Sequence, residues 1–324
     1  MSDMFDEFFG SSEEEEVKEE QKEEKKEKKV EEKEETKEEA EKVEEEPKEE
    51  KPEEKPKEET KEDVKEPPKP VTPDVDIQIK EAEPSPKTVF MIYGLKGHGK
   101  TSLAFSFPGS IVCLSFDRKS AAIKAELGRK DIRVFDAVEY MDYSSPIEWL
   151  KTAEITFEYI NKIFDYIETS PPDWIVIDGS ELFEQICEMV MRYRNNLMPF
   201  QGVANRNLWK ERRMYIRQIH HRALSIAKKG LIWTTYTDKD EIVVDGELVA
   251  KKDVPRWIDA IMTETDVVIR VRSTPSDTGM SFWMEVESSK RWFIPTGLKL
   301  DVTLPRKNDG RLDYEKSPIR KYLP

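Results

Sequence analysis

The chain has 324 residues, of which 37% are hydrophobic and 37% charged, and its net charge is −15. That excess is local, because residues 1–87 carry about −17 and residues 88–324 are therefore close to neutral, at about +2. No apolar run reaches the length of a membrane span, residues 1–30 lack the apolar core of a signal peptide, and Cys113 and Cys187 form no metal spacing. A cytoplasmic protein that does not enter a membrane is the expectation.

In chain order, "MSDMFDEFFG" (1–10) comes first, with Met4, Phe5, Phe8 and Phe9 able to share one helical face. Such an apolar knot suits a docking peptide for a protein partner. Residues 11–70 are nearly all Glu and Lys, with Pro from Pro47 onward, and hold too little apolar surface to build a core. Blocks of Glu and Lys four apart allow a solvated single helix up to Glu46, and the prolines then impose an extended linker. Residues 1–87 are read as this tail, residues 88–305 as the folded domain and residues 306–324 as a C-terminal tail.

"TVFMIY" (88–93) predicts a strand, and "SLAFSF" (102–107) the start of a helix. Between them, Gly94-Leu95-Lys96-Gly97-His98-Gly99-Lys100-Thr101 satisfies G-x-x-x-x-G-K-[ST] in full. Gly94, Gly97 and Gly99 let the backbone N–H groups, including those of His98 and Ser102, turn toward phosphate oxygens. Lys100 is placed to meet the β- and γ-phosphates, and the Thr101 hydroxyl to hold Mg²⁺. His98 itself reads as a solvated loop residue.

Two short apolar runs, "SIVCLSFD" (110–117) and "DIRVFDA" (131–137), follow. Ser145-Pro146-Ile147-Glu148 is a capping box with Pro at the first helical position, and Leu150, Phe157, Ile160, Ile163, Phe164 and Ile167 recur at helical spacing. Pro171 and Pro172 stop that helix before "WIVID", a buried strand ending in Asp178, the carboxylate that a magnesium site needs beside the phosphate loop.

A long helical region comes next. Its stretch 205–229 carries Arg206, Lys210, Arg212, Arg213, Arg217, Arg222, Lys228 and Lys229 around a buried stripe, with Glu211 as the opposing charge. So strong an excess of one sign suits a phosphate-binding face. "GLIWTTYTD" (230–238) is another buried strand, and "DEIVVDGELVAKK" (240–252) a hairpin turning at Asp245-Gly246. "ETDVVIRVRS" (264–273) and "SFWMEVESSKRWF" (281–293) complete an α/β fold whose mainly parallel sheet turns antiparallel toward its C-terminal end.

The order of these motifs resembles the RecA-like P-loop ATPases, above all the compact phage and archaeal branch of single-strand-annealing type, across about residues 88–300. The resemblance implies that ATP and Mg²⁺ are held by Lys100, Thr101 and Asp178. It also implies a general base at the end of the second strand. Asp117 stands there in place of the usual glutamate, and Glu181 is the substitute. Thr235 or Thr237 would sense the γ-phosphate. Lys290 and Arg291 match a pair that reaches a neighbouring subunit's nucleotide, which implies a homo-oligomer. Tyr193, Arg194 and Phe200 fall in the loop that contacts single-stranded DNA in such proteins, next to Arg206, Lys210, Arg213 and Arg217.

The function expected is an ATPase acting on DNA in recombination, annealing or replication of a virus or mobile element. The alternative is a nucleotide-dependent assembly or switch protein that recruits partners through its acidic tail without gripping DNA.

Overall fold

The computed structural model describes residues 85–324 apart from 245–246, 257–259 and 278. The readings of the tail and of the docking peptide, and the turn at Asp245-Gly246, lie outside the described residues. Five helices and ten strands are described: β1 (Thr88–Tyr93), α1 (Lys100–Phe105), β2 (Ile111–Ser115), α2 (Ser120–Leu127), β3 (Ile132–Asp136), α3 (Pro146–Glu168), β4 (Trp174–Asp178), α4 (Ser180–Arg194), α5 (Arg206–Ile226), β5 (Gly230–Thr235), β6 (Thr237–Val244), β7 (Glu247–Pro255), β8 (Val267–Ser276), β9 (Gly279–Ser289) and β10 (Lys299–Asp301).

Eight strands form one sheet in the order β10-β9-β8-β1-β5-β4-β2-β3, and β6 and β7 form a separate hairpin. Strands β8, β1, β5, β4, β2 and β3 run parallel, whereas β9 and β10 are antiparallel. This is the expected architecture, a parallel core with an antiparallel extension. Every residue of β1, β2, β4 and β5 is buried, as central parallel strands covered on both faces must be.

Alternation along the strands divides the core into two layers. Val89, Met91, Ile175, Ile177, Leu231 and Trp233 face α3, α4 and α5, where Phe157, Phe164, Phe183 and Ile219 pack on them. Phe90, Ile92, Trp174, Val176 and Ile232 face the other way, against Leu103, Phe107 and Ile319. Each such side chain contributes about 1.5–3 kcal/mol on burial. Helix α3 starts as predicted, with Ser145 Oγ accepting from the Glu148 N–H at 3.2 Å and Pro146 in the first turn.

Residues 306–324 belong to the same body rather than hanging from it. Ile319 is fully buried, Arg320 donates to the Ser106 carbonyl at 2.9 Å, and the Leu312 N–H donates to the Glu126 carbonyl at 3.0 Å. The apolar residues of this segment are sparse and irregular, so it carries no helix or strand periodicity, yet it closes one layer of the core.

Candidate functional site

The loop between β1 and α1 is shaped by its neighbours on the sheet. A Cβ on Gly94 would lie 2.5 Å from the Val271 carbonyl oxygen of β8, so the loop leaves β1 through a space that only glycine fits. Gly99 has φ +82, a conformation open to glycine, and a Cβ there would meet the Phe282 ring at 3.1 Å. His98 is not a free loop residue, because its Nδ1 lies 3.2 Å from the Val271 carbonyl. Strand β8 of the parallel core and β9 of the antiparallel extension therefore brace the phosphate loop from the side.

Lys100 lies at the mouth of this loop. Its ammonium donates to the carbonyls of Gly94 at 2.8 Å and Leu95 at 3.1 Å, and sits 4.2 Å from the centre of the Tyr236 ring. Burial lowers its pKa, while the carboxylates of Glu181, Asp178 and Asp117 oppose that shift. A partly desolvated cation of this kind gains from an anion placed beside it.

Asp178 ends β4 with 2% exposure, and three hydroxyls donate to it. Thr101 Oγ1 is 2.9 Å from Oδ2, Ser120 Oγ is 2.6 Å from Oδ2, and Thr234 Oγ1 is 2.6 Å from Oδ1. Burial raises the pKa of Asp178, and the hydrogen bonds from Ser120, Thr234 and Thr101 counter it. A hydroxyl and a carboxylate this close are hard oxygen donors suited to Mg²⁺, which keeps most of its shell as water and phosphate oxygen. No cluster of three or more acidic, His or Cys side chains that could hold a metal occurs among the described residues.

Both candidate bases line the same cavity, of about 740 Å³, together with the phosphate loop, Asp178 and Thr234 to Tyr236. Asp117 lies two residues beyond the end of β2 rather than on it. Its Oδ1 accepts from the Lys119 N–H at 3.0 Å, and no described residue donates to its second oxygen. Arg118, at φ 60, makes the turn and is anchored to Asp136 at 3.0 Å and to the Val138 carbonyl at 2.8 Å. Glu181, in the first turn of α4, is engaged by one oxygen, which accepts from the Thr235 hydroxyl at 2.7 Å and from the Tyr236 N–H.

Of the two threonines named from sequence, Thr235 reaches the site and Thr237 begins β6 outside the cavity lining. Sequence reading missed Ser120, Thr234, Tyr236 and Phe282. For Thr234 a signal existed in the strand-end run "WTTYT", because β4–β5 register places it opposite Asp178. Ser120 had none, since only the turn at Arg118 brings it under Asp178.

Lys290 and Arg291 follow β9 at the sheet edge opposite the phosphate loop, where Ser289 pairs with Val267. The Lys290 ammonium donates to the Thr263 carbonyl at 3.1 Å. Arg291 pairs with Asp266 at 3.0 Å and donates to the carbonyls of Ser85 and Lys87. The fold does not bring either residue to the cavity of its own chain.

The basic helix is more neutralised than its sequence implied. On α5, Arg212 pairs with Glu184 at 3.3 Å and Arg222 with Asp165, while Arg217 donates to the Ala260 carbonyl at 3.2 Å. Tyr193 and Arg194 end α4 rather than lying in a loop, and Arg194 pairs with Glu154 at 2.7 Å. Their partners come from α3, α4 and the segment before β8. Phe200 is 81% exposed and Tyr193 44%. No ion pair engages Arg206 or Lys210 among the described residues.

Cys113 and Cys187 are both buried and free, and no helix among the described residues is long and apolar enough to cross a membrane. No family model and no curated protein sequence matches the chain. Among solved structures it is similar to a KaiC-like protein from the hyperthermophilic archaeon Pyrococcus horikoshii OT3, with a TM-score of 0.38 and 13% identity, over 67% of this chain and 86% of that one. Strands β1, β5 and β4 run parallel and side by side, so the loop after β1, Thr234 and Asp178 meet at one end of an α/β core with a mainly parallel sheet.

Proposed function

We propose that this protein binds Mg²⁺-ATP in the cavity above β1, β5 and β4 and hydrolyses it. One observation carries the reading: a complete phosphate loop places Lys100 and Thr101 beside a buried carboxylate, with Thr101 Oγ1 2.9 Å from Asp178. Lys100 would neutralise the β- and γ-phosphates, and Thr101 and Asp178 would hold the cation through its oxygen shell, which supplies charge stabilisation to the transferring phosphoryl group. Asp117 and Glu181 each keep one oxygen unclaimed by described donors, and we assign the base to Asp117 because it follows the end of β2, where the resemblance puts that group, and can take a proton from water. Glu181 instead ties α4 to the exit of β5.

The finer role proposed is action on single-stranded DNA, as the likeness of motif order to the single-strand-annealing ATPases of phages and archaea suggests. Exposed Phe200 and Tyr193, with Arg206 and Lys210 following in the chain, support it, because stacking and backbone charge together grip a single strand. Arg213 and Arg217 flank this surface on α5. A homo-oligomer with nucleotide at the subunit interface is proposed as well. Lys290 and Arg291 lie at the edge opposite their own phosphate loop, as a head-to-tail contact requires.

The second reading, a nucleotide-dependent switch without DNA, is favoured by the pairing of Arg194, Arg212 and Arg222 inside the helical layer. Steady-state ATP turnover with and without a mixed-sequence oligonucleotide separates the two. Stimulation supports action on DNA, and turnover indifferent to DNA supports the switch.

A further inference from the structure

The catalytic groups occupy only part of the cavity. Asp117, Asp178, Glu181 and Tyr236 line its polar half. On the other side of the phosphate loop the lining turns apolar, with Ile123 from α2, Met280 and Phe282 from β9, and Val302, Leu304 and Leu312 from the C-terminal segment.

These three stretches are sewn into one wall. The Val302 N–H donates to the Phe282 carbonyl at 2.8 Å, the Phe282 N–H to Thr303 Oγ1 at 2.8 Å, and the Leu312 N–H to the Glu126 carbonyl at 3.0 Å. Phe282 also stands against the loop at Gly99, so the wall and the phosphate cradle touch. A nucleotide whose phosphates lie in the loop can extend its nucleoside in one of two directions. The polar half is lined with carboxylates, which suit the cation and the attacking water, whereas a planar aromatic base gains from apolar walls.

We propose that the apolar half is the nucleobase slot, and that residues 302–312 are part of the nucleotide site. This rests on the nucleotide-binding reading above. The charged groups that line this half, Glu126 and Arg306, are exposed. Selection therefore comes from contact area, which favours purines over pyrimidines and separates adenine from guanine only weakly.

The test compares Mg²⁺-ATP with Mg²⁺-tripolyphosphate, which has phosphates and no base, by calorimetry on the full chain. Two neutral substitutions leave the charge at the phosphates unaltered: Leu304→Asn in the wall, and Met280→Gln at a residue that is 48% exposed and so tolerates polarity. The expected result is an ATP affinity lowered at least about tenfold in Leu304→Asn, and lowered in the same sense in Met280→Gln, with tripolyphosphate affinity unchanged in both. ATP affinity unchanged in both variants overturns the slot and leaves nucleotide binding standing. An equal fall for both ligands in Met280→Gln also overturns it. Failure of the unsubstituted chain to bind either ligand overturns the nucleotide reading itself.

Discussion

The Thr101 hydroxyl lies 2.9 Å from the Asp178 carboxylate although 77 residues separate them in the chain. The contact forms because β1 and β4 end at one edge of the sheet with β5 between them. Thr234, at the end of β5, bridges the gap by donating to Asp178 at 2.6 Å and accepting from the Gly179 N–H at 3.1 Å. With Ser120 of α2 also donating at 2.6 Å, one carboxylate is oriented by hydroxyls from three elements, as the hydrogen-bond partners of a ligating carboxylate fix its direction.

Thr234→Val keeps the shape and removes the hydroxyl, leaving the Gly179 N–H without its acceptor in a buried place. Loss of about 1–3 kcal/mol of folding stability is expected, measured by denaturant unfolding. Thr101→Ala is expected to weaken ATP binding in the presence of Mg²⁺ and to leave Mg²⁺-free binding unaltered. An equal effect with and without the cation would remove Thr101 from the cation site.

The two carboxylates separate by kinetics. Asp117→Asn is expected to lower turnover at least about 10²-fold with ATP still bound, the scale of lost general-base help. Glu181→Gln retains an acceptor for Thr235 and Tyr236 and is expected to cost far less. The opposite ranking in single-turnover assays assigns the base to Glu181.

The phosphate loop, the β4 strand with Asp178 and the cap of α3 were legible in the sequence because each is local: glycine spacing, an apolar run, a hydroxyl three residues before a glutamate. What was hidden depends on which strand ends meet. Thr234 and Ser120 matter only because β5 and the turn at Arg118 bring them to Asp178. The neutralisation of Arg212 and Arg222 was hidden too, since their partners Glu184 and Asp165 project from other helices. The final segment looked like a tail because Leu312, Tyr314 and Ile319 have no common period, and their burial follows from a backbone route fixed by Glu126 and Ser106.

His220 supplies a pH test. It is fully buried on α5, its Nδ1 accepts from Trp233 Nε1 at 3.3 Å, and Glu264 lies 3.3 Å from its Nε2. Burial, and secondarily the charge of His221, lowers its pKa from 6.5 to about 4. The unfolded chain therefore binds the proton first. This contribution is whole above pH 6.5 and is lost as pH falls toward 4, by no more than about 3 kcal/mol. His220→Gln is expected to flatten the acid limb of stability over that range. An unchanged limb would show that another group governs it.

If residues 193–217 grip single-stranded DNA, affinity falls with salt at a slope near −0.7 per phosphate contact. Arg206→Glu with Lys210→Glu is expected to flatten that slope for all sequences alike. Phe200→Ala is expected to cost about 1–3 kcal/mol with little change in slope. Fluorescence anisotropy across salt measures all three, and no binding in any nucleotide state supports the switch.

The central claim is that Lys100 and its loop hold the phosphates of a nucleotide, and calorimetric titration of Mg²⁺-ATP into the folded Lys100→Ala protein tests it most directly. Binding by the unsubstituted chain and its collapse in the variant is the expected result. An affinity unchanged by the loss of the Lys100 ammonium would contradict the account.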